Sequence, residues 1–370
     1  MKPLHLVLVF ALAPGLALAA QPVKGSRFVS EYGALGDGSA DDSTAFNACL
    51  SANTTCIVDP GKMFVIGNVK LNSGNRLMGN AMVEYGVDTA AKTKTRPILL
   101  AKAGASVMLD VSGVKDGAVI SGLFLDCRAD KTNGISSGSF QLSLDQVTVV
   151  GCNYGLGGEK VPYTAEAHIS NATFGGNRTG IGNLVDSFVT SADFANNSGN
   201  GLYLGAGSNA NIISNSRFEW NQGFGLEVYG ETSGNVVSNC IFDRNAKAGL
   251  RLVGASGFAL ANSSFSRNGR NNVAPDENTQ IYLSHARNIS IVGGLSAAGR
   301  DDGGAGPMTP AYVFSFEGSD NRNVALTGVM TSGQVSADNP RGGFTQGLFE
   351  GRLPKEGFSA PGIGGDMERP

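Results

Sequence analysis

Between residues 217 and 285 the chain gathers side chains that can do chemistry: Glu219, Trp220, Glu227, Tyr229, Asp243, Arg244, Arg251, Arg267, Arg270 and Tyr282. The stretch before it, residues 174–200, carries few groups of this kind. Glu219 and Asp243 are 24 residues apart, and so are Glu227 and Arg251. If that interval is one turn of a stacked structure, Glu219 and Asp243 lie ~5 Å apart, which suits the acid and nucleophile of a retaining glycoside hydrolysis. Like charges at that distance raise one pKa and split the two roles. A second chemistry uses the arginines. Arg244 or Arg251 would neutralise a uronate carboxylate while Lys247, Tyr229 or an arginine takes the C5 proton, with a bound Ca²⁺ as a further aid. The same residues also read as ion pairs between turns, Glu219/Arg244, Asp243/Arg267 and Glu227/Arg251, each worth ~0–1 kcal/mol on a solvated face.

Strand alternation sorts these side chains into columns. Leu202, Leu226, Leu250 and Ile281 are the apolar, inward members of one strand, so Tyr203, Glu227, Arg251 and Tyr282 form one outward column. Gly157 and Gly182 precede them as a glycine floor, and the whole resembles a saccharide groove in which aromatic faces stack on sugar rings and Arg grips a carboxylate. A second outward column runs Gly175, Ala195, Glu219, Asp243 and Ser266, with Trp220, Arg244 and Arg267 at the following position. The candidates for catalysis are therefore Glu219, Asp243, Arg244 and Arg251. Those for substrate binding are Tyr203, Trp220, Glu227, Tyr229, Arg267 and Tyr282. Residues 271–280 form an enlarged turn that would wall the groove. In the loop 157–168, Lys160, Tyr163, Glu166 and His168 would reach it, although a lone His and Lys in a loop are more often solvated.

A periodic scaffold must position these groups. Phe174, Phe194, Phe218, Phe242 and Phe265 recur at spacings of 20, 24, 24 and 23, each followed three residues later by Asn177, Asn197, Asn221, Asn245 and Asn268. Gly180, Gly201, Gly225 and Gly249 then each precede an apolar residue. A fixed period of this size marks a repeat in which each unit buries its apolar face only by stacking on its neighbours. Short alternating apolar runs punctuated by Gly, Asn and Ser indicate strands. Glycine at 53 residues against 13 prolines makes a helical repeat unlikely, and collagen triplets are absent. The expected fold is all-β: a single-stranded parallel β-helix of three short strands per coil, with the phenylalanines stacked inside. Asn215, Asn239 and Asn262 mark the bends, because asparagine tolerates left-handed backbone. The N-x-Ser/Thr triplets at Asn171, Asn177, Asn196 and Asn262 belong to this scaffold rather than to glycosylation.

Residues 1–20 have one lysine, an apolar core and Ala17-Leu18-Ala19, a secretory signal cleaved after Ala19 or Ala20. Periplasm or medium is the expected location, with no membrane span after cleavage. Net charge is −3, or −4 once Lys2 is lost, and there is no basic run, so nucleic acid is not an expected partner. Of five cysteines, Cys49 and Cys56 bracket a polar loop and Cys127 and Cys152 lie about one coil apart, so both pairs are plausible disulfides; Cys240 is left buried and free. Only His168 and His285 remain after signal removal, too few for a Cys/His metal site.

The mature chain opens with Tyr32-Gly33-Ala34-Leu35-Gly36-Asp37-Gly38, then Asp41-Asp42-Ser43, then Pro60-Gly61-Lys62-Met63-Phe64. These elements in this order resemble the N-terminal signature of the pectin-lyase-like superfamily, in its glycoside-hydrolase-28-related or pectate-lyase-3 branch. The resemblance covers about Phe28 to Met330. Asp41-Asp42-Ser43-Thr44 before an apolar-periodic stretch reads as the N-cap of a short helix near Ser43–Ala52 that closes the stack, and the resemblance implies a right-handed β-helix acting on or binding an acidic or neutral polysaccharide, with the acidic signature a cap rather than a site. It does not imply a reaction. Of the polygalacturonase motifs only an Asp-Asp pair at Asp301-Asp302 is present, in a late Gly-rich loop, and the pectate lyase Trp-x-Asp-His and the epimerase Asp-Pro-His are missing. The expected organisation is a signal at 1–20, a cap at 21–80, the β-helix at 81–330 and a Gly/Pro-rich tail at 331–370, with 293–310 a long loop. The expected function is a monomeric, exported polysaccharide lyase on uronate polymers, the alternatives being a glycoside hydrolase or a non-catalytic binder in polysaccharide export or assembly.

Overall fold

The computed structural model describes residues 25–80, 96–128, 131–158, 163–300, 304, 306–318, 320–332 and 349–350. The signal segment, Lys160, Asp301-Asp302 and most of the tail lie outside them. The strands pair in parallel with the strand one coil away, and the coils stack into a β-helix. A typical coil uses Ile212–Ser214, Arg217–Glu219 and Leu226–Ser233, which pair with Val236–Ser238, Ile241–Asp243 and Leu250–Ser256 of the next.

The bends follow from backbone chemistry. Asn215, Asn239 and Asn262 have φ of 51, 53 and 48°, each a single left-handed residue between two strands. A second left-handed corner follows the middle strand and is occupied by Trp220, Arg244 and Arg267, at φ of 57, 55 and 53°. The corner turns each of these large side chains outward while the next residue enters the core.

That next residue is the recurring asparagine. Asn197, Asn221, Asn245 and Asn268 are fully buried, and each side-chain amide donates to the following one at 2.7–2.8 Å. The amides also donate to Phe174, Phe194, Phe218 and Phe242 carbonyls, so the turn's backbone groups are satisfied inside the core. Gln280 ends the ladder by accepting from Asn268 at 2.7 Å. Beside it the phenyl rings stack in register, with centroids 5.6, 4.7, 4.7 and 4.5 Å apart. The recurring glycines are explained by this packing. A Cβ on Gly225 would lie 2.6 Å from the Gly249 carbonyl and 3.0 Å from both the Phe242 ring and the Asn245 amide.

The first coil is closed by a helix, α1, over Ser43–Ala52. Its acidic entry is structural, as expected, though the bonds differ from a simple N-cap. Asp41 accepts from the Ser43 amide at 3.1 Å and from Lys102 at 2.7 Å, which holds its carboxyl down at about 2. Asp42 turns back to accept from the Leu35 and Gly36 amides. Cys49–Cys56 and Cys127–Cys152 are both bonded, and Cys240 is buried and free. Within the expected loop 293–310 the strand Leu295–Ala297 carries the repeat on, because its backbone finds partners on Ser264–Ser266 and Val329–Ser332. Phe349–Glu350 adds a last parallel pairing on Val329 and Met330.

Candidate functional site

The pairing register reproduces both expected columns. One runs Gly157, Gly182, Tyr203, Glu227, Arg251, Tyr282 and Ser315, and the other Gly175, Ala195, Glu219, Asp243 and Ser266. The chemistry-bearing residues occupy two clusters, one on each strand, on either side of the turn that carries the asparagine ladder.

The first cluster is on the middle strand. Asp243 is gripped by Arg267 in bidentate fashion, at 3.0 and 2.7 Å, and by Arg244 at 2.5 Å. Burial pushes its carboxyl above the ordinary value, against the pull of both arginines. Glu219 pairs with Arg217 of its own strand at 2.6 Å. Trp220 carries the guanidinium carbons of Arg244 and Arg270 each 4.9 Å from its ring centre. Its ring is engaged by cations instead of standing clear for a sugar. Asp243 and Arg244 are themselves buried, a correction to the solvated face read from alternation. The fork of Arg267 and the adjacent Arg244 close over the carboxylate, and a buried ion must be paired.

One member of this cluster was not singled out by the sequence. Asp193 stands outward one coil before Arg217, in a strand whose other outward residue is only Ala195. It is 5 % exposed, and one of its carboxyl oxygens has no hydrogen-bond partner. Burial pushes its carboxyl up to about 7, the charge of Glu219 adds to the rise, and Arg217 acts against it. The cluster thus holds carboxyls in contrasting states on neighbouring rungs. Asp193 keeps a proton near neutrality, while Glu219 and Asp243 are tied to arginines.

The second cluster surrounds Arg251. Its guanidinium pairs with Glu227 at 2.7 Å and Asp276 at 3.2 Å, and lies 5.0–5.7 Å from the ring centres of Phe224, Tyr229 and Tyr282. Asn200 donates to Glu227 at 2.6 Å, and burial is the main cause raising the Glu227 carboxyl. The enlarged turn at 271–280 does wall this face. Its short 3₁₀ segment Pro275–Glu277 brings Asp276 to Arg251 and Glu277 to Lys247 at 2.9 Å. Tyr229 is 47 % exposed and Tyr203 is half-buried against Gly205. Tyr282 points outward as expected, yet it is only 4 % exposed, packed with Phe224 and Ala248, its hydroxyl donating to Glu317.

The glycine floor is corrected as well. Gly157 and Gly182 are buried because backbone and ring fill the space above them. A Cβ on Gly182 would meet the Gly158 carbonyl at 2.7 Å and the Tyr154 ring at 2.9 Å. Tyr154 itself accepts from Arg178 at 2.5 Å and lies under that guanidinium, a pair the sequence did not flag because neither residue falls in the outward columns read from strand alternation. Of the loop residues expected to reach the groove, Tyr163 donates to the Ala206 carbonyl, and Glu166 accepts from Gln141. His168 belongs elsewhere. It stacks on Phe188, 5.0 Å away, on the strand before the bend. Among the described residues no group of three or more His, Cys, Asp or Glu side chains converges to hold a metal ion, and no helix is long and apolar enough to cross a membrane.

Comparison with known proteins places this geometry in a known architecture. Residues 183–298 match the family model described as a right handed beta helix region. No curated protein matches the sequence. Among solved structures, the A-module of the Azotobacter vinelandii mannuronan C-5 epimerase AlgE6 superposes with a TM-score of 0.63 at 16 % identity, over 90 % of this chain and 100 % of that one. The enzymatically active domain of bacteriophage CBA120 tailspike protein 2 gives 0.64 at 15 % identity, over 83 % of this chain and 48 % of that one. The alginate lyase of Paenibacillus sp. FPU-7 gives 0.50 at 14 % identity, over 84 % and 96 %. Likeness at this level of identity establishes the architecture alone: the chain is a right-handed parallel β-helix.

Proposed function

We propose that this protein acts on a polysaccharide laid along the outward faces of its strands, and that it cleaves glycosidic bonds by general acid catalysis from Asp193. The observation that carries the reading is the contrast within one cluster. Asp193 is held protonated up to about pH 7, and Glu219 on the adjacent rung is paired with Arg217. A raised carboxyl beside one that is paired with an arginine supplies an acid and a candidate partner. In the proposed reaction Asp193 protonates the leaving oxygen as the glycosidic C–O bond breaks, Glu219, released from Arg217, takes the sugar carbon as a covalent ester, and water, giving its proton back to Asp193, then displaces Glu219. The exposed ring of Tyr229 and the Glu227–Arg251 pair would hold neighbouring sugars. Three of the structurally similar proteins are named as an epimerase of mannuronan, a lyase of alginate and an enzymatically active tailspike domain, which favours a glycan over other substrates.

β-Elimination on a uronate polymer is the second reading. Arg244 and Arg251, the first candidates to neutralise the uronate, are each paired with carboxylates. A different pair favours the reading. The exposed Arg178 donates to the Tyr154 hydroxyl, which places a cation beside a group able to move a proton. A screen against polygalacturonate, alginate, hyaluronan and neutral glycans separates the readings, run with and without Ca²⁺. Reducing ends without absorbance near ~235 nm are expected. Both signals together would move the reaction to elimination, and glycan binding with neither would make the protein a binder. Export through cleavage after Ala19 or Ala20 is part of the proposal, and the N-terminal sequence of protein recovered from periplasm or medium checks it.

A further inference from the structure

Beyond both clusters, one more set of side chains converges near the late coils. The strand Thr279–Ser284 ends with Ser284 on the outward face, and His285 follows it at the bend. The Ser284 hydroxyl is 2.8 Å from His285 Nδ1. Asp320, from the next coil, has a carboxylate oxygen 3.6 Å from His285 Nε2, an ion-pair distance. Nε2 is turned toward the carboxylate and Nδ1 faces the serine hydroxyl, and the tautomer protonated at Nε2 is the one in which Nδ1 would serve as a general base.

The backbone around this set is specialised. His285 has φ of 54°, and the residues against which the bend stacks are glycines with positive φ, Gly254 at 71° and Gly318 at 80°. Left-handed backbone disfavours a side chain, and of these three stacked positions only His285 carries one. A Cβ on Gly318 would meet Asp320 Oδ1 at 3.4 Å and His285 Cε1 at 3.5 Å, ordinary contacts that place this residue beside both groups. The loop bearing Asp320 is pinned by its neighbour. Asn321 is fully buried, accepts from the Ala286 amide at 2.9 Å and donates to the Glu317 carbonyl at 3.0 Å. The imidazole is 60 % exposed, while Ser284 is 6 % exposed beneath it.

We propose that Ser284, His285 and Asp320 form an acyl-transfer site that hydrolyses small O-acyl esters. Ser284 Oγ attacks the ester carbonyl carbon as its proton passes to His285 Nδ1. The carbon–oxygen bond to the alcohol breaks, and that alcohol leaves with the proton from Nδ1. Water, deprotonated by the same nitrogen, then attacks the acyl-serine, releases the carboxylic acid and returns the proton to Ser284. Ser284 and His285 are catalytic, and Asp320 is a positioning residue. Only the identity of the alcohol as a sugar hydroxyl rests on the glycan reading. The esterase chemistry itself does not depend on it.

The test is hydrolysis of p-nitrophenyl acetate by the full-length mature protein, with covalent capture by a fluorophosphonate probe and mapping of the labelled peptide. Hydrolysis above buffer, labelling at Ser284 and a loss of at least about a hundredfold in Ser284→Ala and His285→Asn are expected. Asparagine suits the left-handed bend, so the second variant keeps the fold. Asp320→Asn is expected to lower kcat while leaving KM for p-nitrophenyl acetate unchanged, because the imidazole loses the group that orients it. A p-nitrophenyl acetate rate unchanged in Ser284→Ala, or no hydrolysis and no label at Ser284 in the unaltered protein, overturns the proposal. Either result leaves the glycan reading untouched, since that reading uses none of these residues.

Discussion

At the scale of the residue, the informative group is Asp193. Its carboxyl is raised from an ordinary 3.8 to about 7 mainly by burial. A carboxyl raised by folding favours the protonated fold, so its contribution to stability is complete below about pH 4 and is lost as pH climbs through about 7. The difference amounts to ~4 kcal/mol. Asp193→Asn removes that dependence. Its urea midpoint is expected to exceed that of the unaltered protein at pH 8 and to converge with it at pH 4. An unaltered protein equally stable at both values would show that Asp193 is ionised in the fold. This residue was not legible in the sequence, because its role depends on burial and on Glu219 one rung away. Glu219, Asp243 and Arg267 were legible as column members, since the interval of 24 residues is visible without coordinates. The Asp243/Arg267 pair was readable too; what could not be read was that Arg244 joins it and that the carboxylate is buried beneath them, because burial depends on how side chains fold over a surface.

At the scale of the element, two internal ladders set the rung spacing on which every outward column depends. Phe218 stacks between Phe194 and Phe242 at 4.7 Å on each side, so Phe218→Ala is expected to cost ~3–5 kcal/mol. Asn221→Ala leaves the Phe194 carbonyl, the Asn197 side chain and the Asn197 amide without their partner. A buried group left unmade costs ~1–3 kcal/mol, so this smaller truncation is expected to destabilise at least as much as the loss of the ring. Denaturant midpoints of the two variants check the order, and a near-neutral Asn221→Ala would show that the ladder is not a core element. The ladders were readable early, because Phe, Asn and Gly recur at a near-constant interval, and the cap because its Gly- and Asp-rich segments precede the repeats. The strand inside residues 293–310 was not, since Gly293 and Gly294, with positive φ, mask a repeat that continues through backbone pairing.

At the scale of the whole molecule, a solenoid without a central cavity must present function on its flanks, and the chemistry here sits on the outward faces of two strands per coil. Extended ligands suit such a surface, because subsites repeat along the axis at the rung spacing. Tyr229, the open aromatic of the second cluster, is expected to contribute to grip and not to stability. Tyr229→Ala should weaken binding of a glycan oligomer by ~3–10-fold in calorimetry while leaving the melting temperature within a degree or two. Unchanged affinity would move the ligand off that face. The cleavage chemistry is the central claim, and it is tested most directly by the pH profile of reducing-end release on the glycan found in the screen. The unaltered protein is expected to lose activity as pH rises through about 7, where Asp193 gives up its proton. Asp193→Asn and Glu219→Gln are each expected to fall by ~10²–10⁴-fold. An Asp193→Asn variant that releases reducing ends at the unaltered rate, with the same profile, would contradict the account.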